Sequence, residues 1–438
     1  MNSKLTKIVA ICSFILSGTA LFSCNGGSDG PQDDKIEGTL KIWWPGGSPT
    51  VENVIKDAKA KYESMHEGVN INIAFQSTPD FYLSYNMALM GKEFPDVAYI
   101  DHVYVQRLAY DNAIQNLSTY KLNETKDLFL DTVYKLNLYK NDLYAMPMSA
   151  NVLSRVYNKG LLKKVLNKDI TNEDLPTNWN EYIALGDKIK AYNQGNKLTG
   201  NDTLYLTTVP AGTGAESMGA MYYLGMTTRE GGTIINEDLT KMTLTSEANF
   251  EAAKKIKQLG DGGYTPKVFS ESKFETGKVA FIEMGPWKLL DYSRMNNGKD
   301  IDFDYATIMP NKDKGDNQST LGLYSLVMTK KSKKHALAAD FMKFLTTDKD
   351  VQLAHNSVQY LMPTTKEALN DDFYKTSEWK IFVEQLNNAV ARPGSAAWPA
   401  IEKQTAEFVT GLINGERDTQ YLYSLQAALD EKLSDLDE

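Results

Sequence analysis

The sequence predicts an α/β protein: a parallel sheet covered by helices, a second α/β region after it, and a helical carboxyl end. Three observations predict it. Strands and helices alternate over residues 39–100, further strands are interleaved with helices over 149–309, and the last ninety or so residues carry apolar positions at helical spacing. A chain of 438 residues has room for two or three domains, each with its own core.

The first strand is Thr39-Leu40-Lys41-Ile42-Trp43-Trp44, stopped by Pro45-Gly46-Gly47. Ser48 follows as an N-cap with Pro49 at the first helical position. Val51, Val54, Ile55, Ala58 and Tyr62 then recur at helical spacing, and Gly68 closes the segment. Residues 69–75 alternate as a strand, a helix passes through 87–90, and 96–100 form a short third strand. Strands joined through helices in this way run parallel in one sheet. In the second region 205–209 and 278–283 are the clearest strands, with helices over 180–192 and 247–259. After the apolar run 321–328 a helix covers 334–345. Ile401, Thr405, Phe408, Val409 and Leu412 mark one apolar helix face, and Tyr421, Leu425, Ala428, Leu429 and Leu433 another.

Ligands of such sheets sit outside the carboxyl ends of the strands, where loops open into helices. That places Trp43, Trp44, Gly46, Gly47, Gln76 and Asp101 around one crevice, with the positive end of the helix begun by Ser48 and Pro49 beside it. Trp43 and Trp44 point to opposite faces of their strand, so at most one reaches the crevice from the strand itself.

The amino terminus reads as a targeting segment. Lys4 and Lys7 form a basic stretch, residues 8–16 are apolar apart from Ser13, and Ser17, Gly18, Thr19 and Ala20 lead to Leu21-Phe22-Ser23-Cys24. An apolar run this short falls below the roughly 20 residues of a permanent bilayer span, so residues 1–23 are expected to be a secretory signal. Leu21 three residues before Cys24, and small Ser23 just before it, resemble a bacterial lipobox. Phe22 departs from the small or β-branched residue usual between them. Cys12 would leave with the signal, so Cys24 would be the only cysteine of the mature chain, with no partner for an internal disulfide. The resemblance implies lipidation at Cys24 and a bilayer as partner; the alternative is an unlipidated signal that happens to contain cysteines. Residues 25–34 hold no apolar side chain and read as a flexible tether.

Composition narrows the function classes. The net charge is −9, two units more negative without the signal, and no basic block occurs, which argues against a nucleic-acid partner. The 24 Tyr, 16 Phe and 6 Trp supply flat apolar faces, many with a polar edge, for the core and for a binding site. His66, His102, His335 and His355 are scattered, with no metal-ligand spacing, so neither a metal nor another cofactor is expected. Gly212-Thr213-Gly214 lacks the third glycine of a dinucleotide fingerprint, and no P-loop occurs.

Five segments in order carry something more specific. They are Gly91-Lys92-Glu93-Phe94-Pro95-Asp96-Val97 with its strand to Asp101; Asn141-Asp142-Leu143-Tyr144-Ala145-Met146-Pro147 followed by Val156-Tyr157-Asn158-Lys159; and Pro176-Thr177-Asn178-Trp179-Asn180-Glu181-Tyr182. The fourth runs from Phe274 through Gly277 and Lys278 to Gly285-Pro286-Trp287, and the fifth from Ala391-Arg392-Pro393 to Trp398. Together, over residues 38–435, they resemble the maltose-binding-type (family 1) extracellular solute-binding proteins of ABC sugar importers.

The resemblance implies a two-lobed periplasmic-binding-protein fold of type II, each lobe a helix-covered mixed sheet, with a helical carboxy-terminal region. The expected division is 36–148 and 313–347 for the first lobe, and 149–312 and 348–438 for the second, after a signal over 1–23 and a tether over 24–35. Chain crossings are expected near 146–151, 309–321 and 346–351. It also implies a monomeric, extracytoplasmic, lipid-anchored protein whose partners are a mono- or oligosaccharide and the ABC permease. Trp287 stands at the family's matching tryptophan, with Trp398 a second candidate ring; each is otherwise a core residue. Asp101 is a candidate for sugar hydroxyls or, alternatively, a helix cap. Gln76, Asn151, Glu283, Tyr324 and Arg392 complete the candidate ligand-binding set with Trp43 and Trp44.

Rival readings remain on the residues alone. A non-sugar ligand, such as a polyamine, an organic anion or a metal chelate, would show as surplus acids or cations in the cleft. Ala215-Glu216-Ser217-Met218-Gly219 is one residue from a nucleophile elbow, with His335 or His355 as possible base. Pro210-Ala211-Gly212-Thr213-Gly214 is too long a spacer for that sharp turn, so a helix start is expected and the chain is not expected to be an esterase. No motif singles out the carboxylate pair of a glycosidase.

Overall fold

The computed structural model describes residues 35–76, 81–295, 302–311 and 316–436; the signal, Cys24 and nearly all of the tether lie outside these residues. In chain order the strands among them are β1 (Gly38–Pro45), β2 (Val69–Gln76), β3 (Val97–Asp101), β4 (Leu138–Tyr139), β5 (Asp142–Leu143), β6 (Ala145–Val152), β7 (Ser154–Asn158), β8 (Tyr205–Thr207), β9 (Val279–Met284), β10 (Phe303–Ala306), β11 (Ser319–Met328), β12 (Met362–Pro363) and β13 (Ala389–Ala391). They form two principal sheets. The larger has the order β12-β6-β11-β3-β1-β2, with β13 beside β11; the smaller has the order β10-β7-β9-β8. β1 pairs in parallel with β2 and β3, as the alternation of strands and helices predicts, while β11 runs antiparallel to β3 and β6. In the smaller sheet β9 runs parallel to β8 and antiparallel to β7, so both sheets are mixed.

Local chemistry explains the first units. Ser48 caps the helix Pro49–Met65 by accepting from the Val51 amide, and Val51, Ile55, Ala58 and Tyr62 are its buried face. In β1 the alternation buries Leu40, Ile42 and Trp44 on one side. These residues join Tyr62, Tyr99 and Phe341 in the core of the larger-sheet lobe. The smaller sheet is covered by a second core containing Tyr157, Tyr182, Phe281, Trp398 and Phe408. The carboxy-terminal helix Trp398–Asn414 buries Ile401, Thr405, Phe408, Val409 and Leu412 there, the face its spacing predicts.

The chain passes between the lobes at β6–β7, separated only by Leu153, and between β10 and β11. Ser319, at the start of β11, ties these crossings together. Its hydroxyl donates to the Leu153 carbonyl at 2.7 Å and accepts from the Leu153 amide at 3.0 Å. The third crossing lies later than 346–351. The helix Lys349–Gln359 places Val351 in the larger-sheet core, and β12 pairs with β6, so residues 349–363 remain with the first lobe. The physical reason is continuity: Asp348 caps this helix through the Val351 amide and also meets Lys61 of the first-lobe helix at 2.8 Å.

Candidate functional site

A cavity of about 670 Å³ opens between the two sheets. From the larger-sheet lobe it receives Pro45 at the end of β1, Phe81, Tyr82 and Leu83 in the first turn of the helix Phe81–Met90, and Tyr99, Ile100 and Asp101 at the end of β3. Tyr104, Tyr324, Gln359 and Leu361 add to that side. The smaller-sheet lobe contributes Ser217, Met218 and Met221 from the helix Glu216–Arg229, and Trp287 from the turn after β9. Asn151 and Arg392 come from segments near the crossings.

Rings dominate the walls. Tyr82 and Tyr104 stack with centroids 3.7 Å apart and planes 10° from parallel. Tyr324 stacks on Tyr99 at 5.3 Å, and Tyr99 in turn on buried Trp44 at 4.5 Å. Across the cavity Trp287 lies over Gly285, where an added Cβ would stand only 1.8 Å from its ring. Gly285 has an extended backbone, so it is this close approach that excludes a side chain. Asn151 is seated in the same manner: an added Cβ at Gly322, its partner on β11, would lie 2.4 Å from the Asn151 Oδ1.

The floor holds a closed ion pair. Arg392 Nη2 donates to Asp101 Oδ1 at 2.7 Å and Oδ2 at 2.9 Å, and His102 Nδ1 lies 3.1 Å from Oδ1. Burial alone would raise the Asp101 carboxyl; the Arg392 charge and the His102 contact outweigh it and hold it at about 2. For Arg392 burial opposes the charged form, but Asp101 and Glu402 push the guanidinium above its ordinary value. Burial and the Asp101 charge push the Tyr324 hydroxyl up to about 12. Asp101 also caps the turn His102–Tyr104 through the Val103 amide at 3.4 Å, so the cap and cleft readings of this residue coexist.

Of the ten candidate residues, Asp101, Asn151, Trp287, Tyr324 and Arg392 come together around this cavity. The other five do not line it. Trp44 is fully buried within β1 between Tyr99 and His355. Trp43, on the opposite strand face, packs edge-on against Phe81 and so backs the wall. Gln76 ends β2 beside Pro45, its carbonyl accepting from the Gly46 amide. Trp398 lies wholly in the second-lobe core. Glu283 points away from the cleft to Arg229, with Oε1 2.7 Å from Nη1.

Tyr82, Tyr104 and Met221 are absent from the candidates the sequence offered, and Ser217 and Met218 stood there only in the elbow-like segment, not as cleft residues. Tyr104 follows Asp101 by three residues, so the strand-end rule already pointed to its turn. Ser217 and Met221 are one helical turn apart, a spacing that puts both on one face. Ser217 sits at the start of a helix, as expected, and not on a strand-to-helix elbow. His335 packs against Tyr120, and His355 is buried beneath Trp44, both in the other lobe.

Two lobes joined by several crossings, with an aromatic cleft between them, define a solute-binding architecture. Residues 57–381 match the sequence pattern of the bacterial extracellular solute-binding proteins, and the chain belongs to that family. Its members are solute binders, not enzymes, and work outside the cytoplasm. The chain is similar to a binding protein of Brucella abortus (strain 2308), 24% identical over 372 residues that cover 82% of this chain and 85% of that one. It is also similar to the galactooligosaccharide-binding protein of Bacillus subtilis (strain 168), 21% identical over 387 residues, 86% of this chain and 84% of that one. The crystal structure of the cyclic α-maltosyl-1,6-maltose binding protein of Arthrobacter globiformis matches with a TM-score of 0.77 at 19% identity, over 91% of this chain and 100% of the other. That likeness establishes the two-lobed periplasmic-binding-protein fold. Among the described residues no helix is long and apolar enough to cross a membrane.

Proposed function

We propose that this chain captures a mono- or oligosaccharide between its lobes, closes on it, and delivers it to the membrane permease of an ABC importer. One observation carries the reading: aromatic walls surround a floor whose charges cancel. Asp101 and Arg392 satisfy each other, and no other charged side chain lines the cavity among the described residues. A neutral sugar presents apolar C–H faces and many hydroxyls, which call for flat rings and a few fixed polar groups. A polyamine would call for surplus carboxylates and an organic anion for surplus cations, and this lining has neither.

In this reading Trp287 and the tyrosine rings meet pyranose faces. Asp101, Asn151 and Tyr324 address hydroxyls, and Arg392 orients Asp101. The oligosaccharides in the names of the Bacillus and Arthrobacter proteins support a ligand of the same class. Closure follows if the ligand binds the closed form more tightly than the open one, since only that difference shifts the population. A lipid on Cys24 and the tether behind it would hold a monomeric body at the outer face of the cell membrane or in the periplasm.

The test is a thermal-shift screen over mono- and oligosaccharides, amines and organic acids. A sugar is expected to raise the melting temperature, and Trp287→Ala to remove that rise while the unliganded variant stays folded. A shift with amines or acids and none with sugars would overturn the assignment.

A further inference from the structure

Glu283 borders a second cavity, behind the cleft wall in the smaller-sheet lobe. It measures about 20 Å³ and is walled in part by Arg155, Tyr182, Thr207, Tyr222, Arg229 and Glu283. Its charges do not balance. Arg229, 2% exposed, takes both Glu283 oxygens, with Nη1 at 2.7 Å and Nη2 at 3.4 Å, and its Nε donates to the Gly225 carbonyl. Arg155 stands opposite Glu283 in the β7–β9 ladder, yet no described carboxylate oxygen lies within 4.0 Å of its guanidinium. Its partners are neutral: the Pro176 carbonyl at 2.9 Å and the Phe281 ring, whose centroid is 5.5 Å away. Its Nε is buried without a hydrogen-bond partner. Burial pushes this guanidinium down to about 10, and the nearby negative groups do not restore it.

We propose that this cavity binds a monatomic anion, chloride in ordinary media, held by Arg155 Nε and the surplus positive charge of the Arg155–Arg229 pair. Arg155 as a whole is half-buried and also borders an open groove beside Asn172 and Pro176, but its Nε is shut off from solvent, and an unpartnered donor beside a second guanidinium calls for an anionic acceptor. Water could accept from Nε but would leave the charge uncompensated. The cavity is small, about 20 Å³, which suits a single small occupant over a bulkier organic anion. The anion joins elements that matter for the cleft. Arg229 ends the helix whose first turns present Ser217 and Met221, and β9 leads into Trp287.

Bromide replaces chloride and scatters anomalously, so crystals of the protein grown in bromide are expected to show an anomalous peak beside Arg155 Nε. In solution the melting temperature should be a few degrees higher in chloride than in gluconate at equal ionic strength, because gluconate cannot enter. Arg155→Met should erase that difference. A site that stays water in bromide, with equal melting temperatures in chloride and gluconate, overturns the proposal. The diffraction measurement uses the wild-type chain and decides the matter even where the variant fails to fold.

Discussion

Gly285→Ala tests the proposed binding site by moving one ring and changing no polar group. The new Cβ would stand 1.8, 2.2 and 2.3 Å from three carbons of the Trp287 ring. Carbon atoms in contact sit about 3.5–4.0 Å apart, so the indole must retreat by roughly 1.5–2 Å. The backbone has no objection: at φ −88° and ψ 172° Gly285 is in extended space open to any residue. The fold is therefore expected to survive while the ring leaves its place in the cleft wall. Losing the burial of a large apolar side chain against ligand costs about 1.5–3 kcal/mol, which lowers affinity roughly 10- to 100-fold. Titration calorimetry with the sugar found by thermal shift measures this directly. A double-mutant cycle sharpens it. Trp287→Ala should lose about as much, and the double variant little more, because the added methyl then has no ring to displace. Wild-type affinity in Gly285→Ala, or losses that simply add, would refute the placement of Trp287 against the ligand.

Two further outcomes follow from the described groups and from the amino terminus. Asp101 is held at about 2, below its unfolded value, so its contribution to stability is present above roughly pH 4 and is lost as pH falls through 2. That contribution is on the order of 2–3 kcal/mol, and Arg392→Met should both destabilise the protein by about 3 kcal/mol and flatten this acid limb in urea melts from pH 5 to 2; an unchanged limb would show that the pair does not set it. At the amino terminus, mass spectrometry of membrane-extracted protein should find Cys24 as residue one carrying a diacylglyceryl group, and Cys24→Ser should release the chain to the soluble fraction; an intact, unmodified terminus would remove the anchor.

Much of the fold was readable because its signals are local. The helix Pro49–Met65 carries its own cap, its first-turn proline and its apolar period within one segment, and β1 declares its buried side by alternation. The fate of individual candidate rings was less readable, since it depends on the layer that lands above them. Trp398 is instructive. Its spacing to Ile401, Thr405 and Phe408 puts all four on one buried helical face, so the core reading was available in the same periodicity that located the helix. Glu283 offered no such cue, because Arg229 lies 54 positions away on a helix that no sequence pattern ties to β9. The strand-end rule found the right loops, but Tyr82 reaches the cavity from the helix beyond its loop, and Met218 and Met221 require the second lobe to be in place.

The same distance effect reshaped the reading of the ligand. Asp101 and Arg392 each stood in the sequence as an independent candidate, one suited to hydroxyls or amines and the other to anions. The fold brings residues 291 positions apart to 2.7 Å, and their charges cancel. A free carboxylate at that floor would have favoured a cationic solute, and a free guanidinium an anionic one. Paired, they leave the Asp101 oxygens fixed and ionised over the ordinary pH range while neither charge stands free in the cleft lining. Under the proposed function that combination suits a sugar, polar, neutral and flat-faced, and the aromatic walls, not charge, would supply selectivity.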